Sequence, residues 1–350
     1  MGNKNVTKRQ HYVPQFYLKY FTNEDGIIQA LDIKNNRLGS PKPCSALGYS
    51  HYFYAVETGI PDDVSQQVEK WLQQFESAIA CELPDIINKI LNGAHINVDD
   101  RYILAVLMSM LWLRSPNMRT QLNQIEEDMI KKIMSFYAPE RIDRYIKKTE
   151  KKISDKERRK FIKAMEEGSY KLRFNNAQHL RFMTKTLGFG GPGFANMFFG
   201  QKWKIYIARG KKRFITSDSP VIEWWPPPKT FHGASFLERN KYFTLTPEIF
   251  LELTYPIGSE KAKRKTIFDN EDDTVSLFNI LIAAHSHAFA YSGDKKNLES
   301  LLAGRKSPGI LEKAYYERYE RPWKESRKIG RTRLTGNRVQ RDTRKEARKI

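Results

Sequence analysis

The sequence predicts an α+β fold, with a large helical middle section packed on a mainly antiparallel sheet and a flexible basic C-terminal tail. Three observations carry this. Between about residues 61 and 190, apolar side chains recur at helical spacing. Between about 200 and 300, short runs rich in β-branched and aromatic residues are punctuated by turn residues. After Arg321 apolar residues thin out, and twelve Lys or Arg face three acids. Residues 1–300 therefore read as one domain, in which an N-terminal motif and strands (1–60), a helical section (61–190) and a sheet section (200–300) follow one another. Residues 301–350 read as a helical turn and the tail.

The elements follow in order. "KRQHYVPQFYLKYF" (8–21) is too apolar for a loose terminus and is expected to pack into the body. "GIIQALDIKNNRLGSPK" reads as two short strands around an Asn-Asn turn, and "YSHYFYAVETG" as an aromatic strand. From Asp62 the period changes. Val64, Val68, Trp71, Leu72, Phe75 and Ile79 share one helical face, with Asp62 or Asp63 as N-cap. "VDDRYILAVLMSMLWLRSP" is apolar almost all round, which marks a central buried helix ended or bent at Pro116. Helical patterns continue to about Leu187. "GFGGPGFANMFFG" matches no phosphate-loop order and reads as a loop or hinge. "KWKIYIARGKKRFITSDSPVIEWW" reads as a hairpin with a Gly-Lys turn. "KYFTLTPEIFLELTYP" and "AHSHAFAYSG" read as further strands, and "DNEDDTVSLFNILIAAHSH" begins with a capped helix.

Charge narrows the function. The net charge is +20, of which +9 lies beyond residue 320. Arg331, Arg333, Arg338, Arg341 and Arg344 stand in a tail too polar to fold alone, the composition of a nucleic-acid phosphate contact or a docking segment for a protein partner. In the block "IKKTEKKISDKERRKFIKAMEEGSYKLRF" acids and bases alternate, as on a solvated helix. No window is long and apolar enough for a membrane span, and "MGNKNVTKRQ" has no secretory core, so a cytoplasmic location is expected. Cys44 and Cys81, the two cysteines, form no metal set and read as buried thiols in a reducing compartment. No motif implies a cofactor. There is no HExxH, GxSxG, zinc-finger spacing or Walker A.

"QHYVPQFYLKYF" closely resembles the hallmark of the DUF4238 family, a bacterial family of unknown function. "RFITSDSPVI" is similar to the family's strand ending in Ser-Asp-x-Pro-Val. "LWLRSPNMR" resembles its Arg-Ser/Thr-Pro helix end, and Asn279 its late-helix asparagine. These span Gln10 to about Ser292. One departure is visible: the family's glutamine just before the arginine is absent from "MSMLWLR". The resemblance implies a fold and no chemistry.

Chemistry is therefore argued from residue types. An extended HYVP segment points His11 and Val13 one way and Tyr12 the other, with Pro14 fixing direction. His11 and Asp218 are a candidate pair, in which the carboxylate would fix the tautomer of a catalytic base or simply lock a buried segment. Ser217 and Pro220 set the turn that carries Asp218. Arg114, in an apolar helix, needs a partner in Glu76 or Asp218, or else serves as a phosphate clamp. Glu76 reads as inward and Glu69, amid polar neighbours, as exposed. His285 and His287 read as two residues on the wet face of a strand, without a third metal ligand. A nucleic-acid phosphodiesterase built on His11, Asp218, Arg114 and Glu76, in a defence or toxin setting by analogy, is one expectation. A binding protein in which the same cluster is structural is the other.

Overall fold

A computed structural model of the chain describes residues 7–57, 64–65, 67–150, 152–172, 177–187, 193–224, 240–254, 262–268 and 274–305. It opens with strand β1 (Arg9–His11), the short helix α1 (Gln15–Leu18) and a 3₁₀ turn to Phe21. Strands β2 (Ile27–Asp32), β3 (Arg37–Leu38), β4 (Lys42–Pro43), β5 (Tyr49–His51), β6 (Val56–Glu57) and β7 (Val64–Ser65) follow. The helical middle comprises α2 (Gln67–Leu91), α3 (Val98–Leu113), α4 (Pro116–Thr149), α5 (Asp155–Glu166), α6 (Ala177–Leu187) and α7 (Phe194–Gly200). Strands β8 (Lys202–Ala208), β9 (Thr216–Ser217), β10 (Val221–Trp224), β11 (Asn240–Thr246), β12 (Ile249–Thr254) and β13 (Lys263–Ile267) come next. Helix α8 (Thr274–His285), β14 (Phe289–Ser292) and α9 (Lys295–Arg305) close the described chain. The fold is thus α+β, with a helical middle and mainly antiparallel sheets.

Two five-stranded sheets hold the strands apart from the pairs β1-β5 and β6-β7. One runs β10-β11-β12-β8-β13, antiparallel except for the parallel β13 on β8. The other runs β3-β2-β14-β9, with β4 also on β2, antiparallel throughout. Between the helices and the first sheet lies the larger core, and α8 and α9 close a second core on the other side.

Helix α3 shows how sequence builds this. Asn97 and Asp100 form a capping box at its start, satisfying amides that the helix leaves open. Its later turns are buried all round. The helix stops at Leu113 because Ser115 caps the next one, accepting from the Met118 amide at 3.1 Å, and Pro116 takes the first helical position. Arg114 is left at the junction.

Several elements differ from the sequence reading. Val64 lies in β7 rather than on the face of α2, which begins at Gln67; Asp62 and Asp63 lie outside the described residues. The second half of the glycine-rich stretch is helix α7, whose Phe194 packs edge-on to Trp112 at 4.8 Å. Residues 202–224 are not a hairpin. β8 pairs with β12 and β13, β9 with β14, and β10 with β11. Among the described residues His285 ends α8 and neither it nor His287 lies in a strand. Cys44 is half-buried and Cys81 exposed, so the two are not buried thiols. The tail arginines Arg331, Arg333, Arg338, Arg341 and Arg344 lie outside the described residues. Among those described, no helix is long and apolar enough to cross a membrane.

The HYVP segment is tied into the body as its aromatic density requires. Val13, Tyr17, Leu18 and Phe21 are fully buried. The Tyr17 hydroxyl donates to the Thr244 carbonyl oxygen at 2.5 Å and accepts from the Thr216 hydroxyl at 2.7 Å, joining α1 to both large sheets. Tyr17→Phe leaves both partners buried without it and is expected to cost about 1–3 kcal/mol. A urea unfolding midpoint that falls with an unchanged slope is the expected reading; an unchanged midpoint would contradict it.

Candidate functional site

The site begins with backbone. β1 lies on β5, and the amides of Tyr12 and Val13 both donate to the Gly48 carbonyl, at 2.9 and 3.0 Å. Gly48 must be glycine. Its φ is +62°, and a Cβ there would stand 2.9 Å from the Val13 Cβ. Gln10, fully buried, accepts from the Tyr54 amide at 2.6 Å.

Arg114 reaches this segment from the α3–α4 junction. It is 1% exposed. Nε donates to the Tyr54 hydroxyl at 2.7 Å, one terminal nitrogen donates to Glu76 Oε1 at 2.5 Å, and the other to the His11 carbonyl. The Tyr54 hydroxyl also donates to that carbonyl at 3.2 Å. Burial opposes the charge on Arg114, but Tyr54 and Glu76 outweigh it and hold its pKa above the ordinary value. All three guanidinium nitrogens are engaged inside the protein, so the fork is not presented to a phosphate. Of the partners expected for Arg114, Glu76 is the one found.

Asp218 is fully buried. Its Oδ1 accepts from the His287 amide at 2.8 Å, and its Oδ2 from the Ala288 and Phe289 amides at 2.7 and 2.9 Å. Burial pushes its carboxyl above the ordinary value, and the three amides pull it back part of the way. Ser217 Oγ accepts from the Ser219 amide at 3.1 Å and shapes the turn before Pro220. Asn279 holds the lead-in, accepting from the Ile215 amide at 2.9 Å and donating to the Arg213 carbonyl at 2.8 Å.

His11 takes other neighbours. Its ring lies 5.6 Å from Tyr49 and makes a backbone hydrogen bond at Ser45, while Nε2 is buried without a partner. Burial lowers its pKa, which favours the neutral ring. Among the described residues no hydrogen bond joins His11 to Asp218. The two motifs meet through Tyr12 instead. Burial first, and then the Asp218 carboxylate, push the Tyr12 hydroxyl's pKa up.

Tyr12 of the HYVP motif lines a cleft of about 400 Å³, and Asp218 of the SDSP motif holds the backbone of Phe289, another of its lining residues. Tyr12, Gly48 and Tyr291 are among the residues that line the cleft, with Tyr49, Phe289, Arg37, Lys42 and the carboxylate of Asp32, which Arg37 neighbours. The Phe289 ring stacks on Tyr291 at 6.5 Å and remains 37% exposed. Asp218 fixes the chain at 287–289 and thereby sets Phe289. Arg37 and Lys42 are exposed, while Tyr12 and Tyr291 are buried, so the cations stand toward solvent and the rings deeper. A second cleft of about 480 Å³ has Glu24, Asp25, Glu248 and Asp294 in its lining against one cation, Arg213, a net sign of charge that repels phosphate.

Glu69 differs from its reading as exposed. It is half-buried, its Oε2 is buried without a partner, and burial raises its pKa to about 6 against the pull of Arg114. Its seven-residue spacing from Glu76 was the available signal; its polar neighbours hid it. Tyr54, Gly48, Arg37 and Lys42 carried no signal that separated them from ordinary strand and turn residues. His285 Nδ1 bonds the Leu281 carbonyl at 3.0 Å and His287 Nδ1 bonds Asn117 Oδ1 at 3.1 Å. Among the described residues no group of three His, Cys, Asp or Glu is placed to hold a metal ion.

A family model described as "Protein of unknown function (DUF4238)" matches residues 9–296. No curated protein and no solved structure matches the chain.

The Glu69 carboxyl yields a pH prediction. Its pKa in the folded protein, about 6, lies above the ordinary 4.5, so its contribution to stability is complete below about pH 4.5 and is lost as pH rises through 6. Glu69→Gln removes that loss. Its melting temperature is expected to exceed that of the unsubstituted protein by a margin that widens from pH 5 to pH 7. A margin independent of pH would contradict the assignment.

Proposed function

We propose, from the premise that the chain belongs to the DUF4238 family, that this protein binds nucleic acid and that the HYVP and SDSP motifs serve to build the binding cleft. One observation carries the reading: on a chain of net charge +20, Tyr12 of the HYVP motif lines an aromatic cleft whose Phe289 is held by Asp218 of the SDSP motif, and Arg37 and Lys42 outnumber the one carboxylate, Asp32, in its lining. An accessible aromatic face stacks on any base, worth about 1–3 kcal/mol, and adjacent cations take the backbone phosphates. Here Phe289 and the half-buried Tyr49 offer such faces, while Tyr12 and Tyr291 are buried. Groups that a His-Asp-Arg phosphodiesterase would use are committed elsewhere, Asp218 to three amides and Arg114 to Glu76, Tyr54 and the HYVP backbone. This favours the binding reading, with the polar cluster structural.

The phosphodiesterase reading retains one observation, the unpartnered His11 Nε2 on a ring whose neutral form, the form a general base requires, is favoured by burial. Cleavage of labelled RNA or DNA by the unsubstituted protein, lost in His11→Ala, would move the conclusion to that reading. The tail, with Arg331, Arg333, Arg338, Arg341 and Arg344, adds a second contact to phosphate; equal affinity without it would assign it to a protein partner.

Arg37 and Lys42 are exposed, so replacing both with Ala is expected to leave the melting temperature unchanged. Affinity for a single-stranded oligonucleotide is expected to fall, and the salt slope to become shallower by about 1.4, the share of two phosphate contacts. Titration by fluorescence anisotropy at two salt concentrations reads both. Equal affinity and slope would overturn the assignment of the cleft.

A further inference from the structure

Helix α4 runs 34 residues, and only its first turns lie against the body: Met118 is buried and Leu122 packs on the larger core. At 100° per residue, the side that carries Met118 and Leu122 continues through Ile125, Met129, Ile133 and Phe136. Beyond the body this side is left uncovered by the described residues. Ile125 is 49% exposed, Met129 56%, Ile133 45% and Phe136 74%. A stripe of this kind, three turns long and unbroken by a charge on its midline, marks an interface rather than a solvated face. Helix α5 does not cover it. Lys131, which lies beside Gly168 and Tyr170, and the buried Ala138 and Ile142 stand nearly opposite the stripe on α4.

The edge of the stripe says what fits there. Asp128 and Lys132 stand one turn apart on the same edge and are both exposed. When an antiparallel copy of α4 is laid on the first about a two-fold axis near residue 130, Asp128 of each helix faces Lys132 of the other, and the apolar side chains interleave. The same operation sets the two bodies at opposite ends of the helix pair and leaves both α5 helices on the outside. We propose that this stripe is the interface of a two-fold homodimer, formed by antiparallel pairing of α4 with α4 of a second copy. The surface is self-complementary, as such an interface requires. The proposal does not depend on nucleic-acid binding.

Sedimentation velocity of the full chain, from roughly 5 to 100 μM, tests it at the affinities expected of a small interface. The expected species is about 82 kDa, twice the 41.0 kDa chain, dissociating on dilution. Met129→Lys is expected to weaken association at least tenfold with an unchanged circular dichroism spectrum, because the side chain is exposed in the single copy. Asp128→Lys is expected to weaken it, and adding Lys132→Asp to restore it. A protein monomeric across the range overturns the proposal. So does a dimer indifferent to Met129→Lys, or one that Asp128→Lys leaves intact. A monomer that dimerises only after truncation at Arg305 would assign the stripe to the chain's own C-terminal segment and overturn it as well.

Discussion

The structure depends on one buried cation. A guanidinium at 1% exposure is costly to desolvate and persists only when its charge and hydrogen bonds are met. Arg114 meets these conditions with groups from three places: a carboxylate on α2, a tyrosine hydroxyl after β5, and the main-chain carbonyl of His11. It is itself placed by the break between two helices, where Ser115 and Pro116 start α4. Its contacts therefore fasten the N-terminal segment to the helical middle. Glu69 is the nearby debit of this arrangement. A second carboxylate beside one cation, half out of water, is held with a raised pKa.

From that anchor the cleft follows. The carbonyl of His11 is held by Arg114, the amides of Tyr12 and Val13 by Gly48, and α1 by the Tyr17 hydroxyl. Tyr12 then lines one side of the cleft. The other side is shaped by Asp218, which holds the backbone amides leading into β14, the strand paired with β9, and so fixes Phe289. Asn279 works in the same manner on the strand that carries Asp218. The motif residues are mostly devices for holding main chain, and the cleft is left with the exposed Phe289 ring, Arg37 and Lys42 at its solvent side, together with Asp32. That division supports the proposal that the cleft binds a polyanion.

Much of this was legible in the sequence. The all-round apolar run of α3, the Ser-Pro break after Arg114 and the Asn-Asn turn between β2 and β3 are local signals, and they were read in place. The resemblance of 10–21 and 213–222 to the family motifs found both segments that line or support the cleft. The failures were non-local. β8 was paired with its neighbour in sequence, whereas its partners β12 and β13 are set by topology. His11 and Asp218 each stand in a motif-like segment, which suggests that they pair, but hydrogen-bond demand sends the carboxylate elsewhere: three amides at 287–289 hold it. Glu69 was hidden because burial of a helix face depends on what packs there.

The central claim is that Arg114 holds the HYVP segment in place. Native-state hydrogen exchange of the Tyr12 and Val13 amides tests it, comparing the unsubstituted protein with Arg114→Lys and Arg114→Met. The account predicts that protection at these two amides falls in both variants, further in Arg114→Met, while amides of β11 and β12 keep theirs. Unchanged protection at Tyr12 and Val13, or a loss spread evenly over every strand, would contradict it.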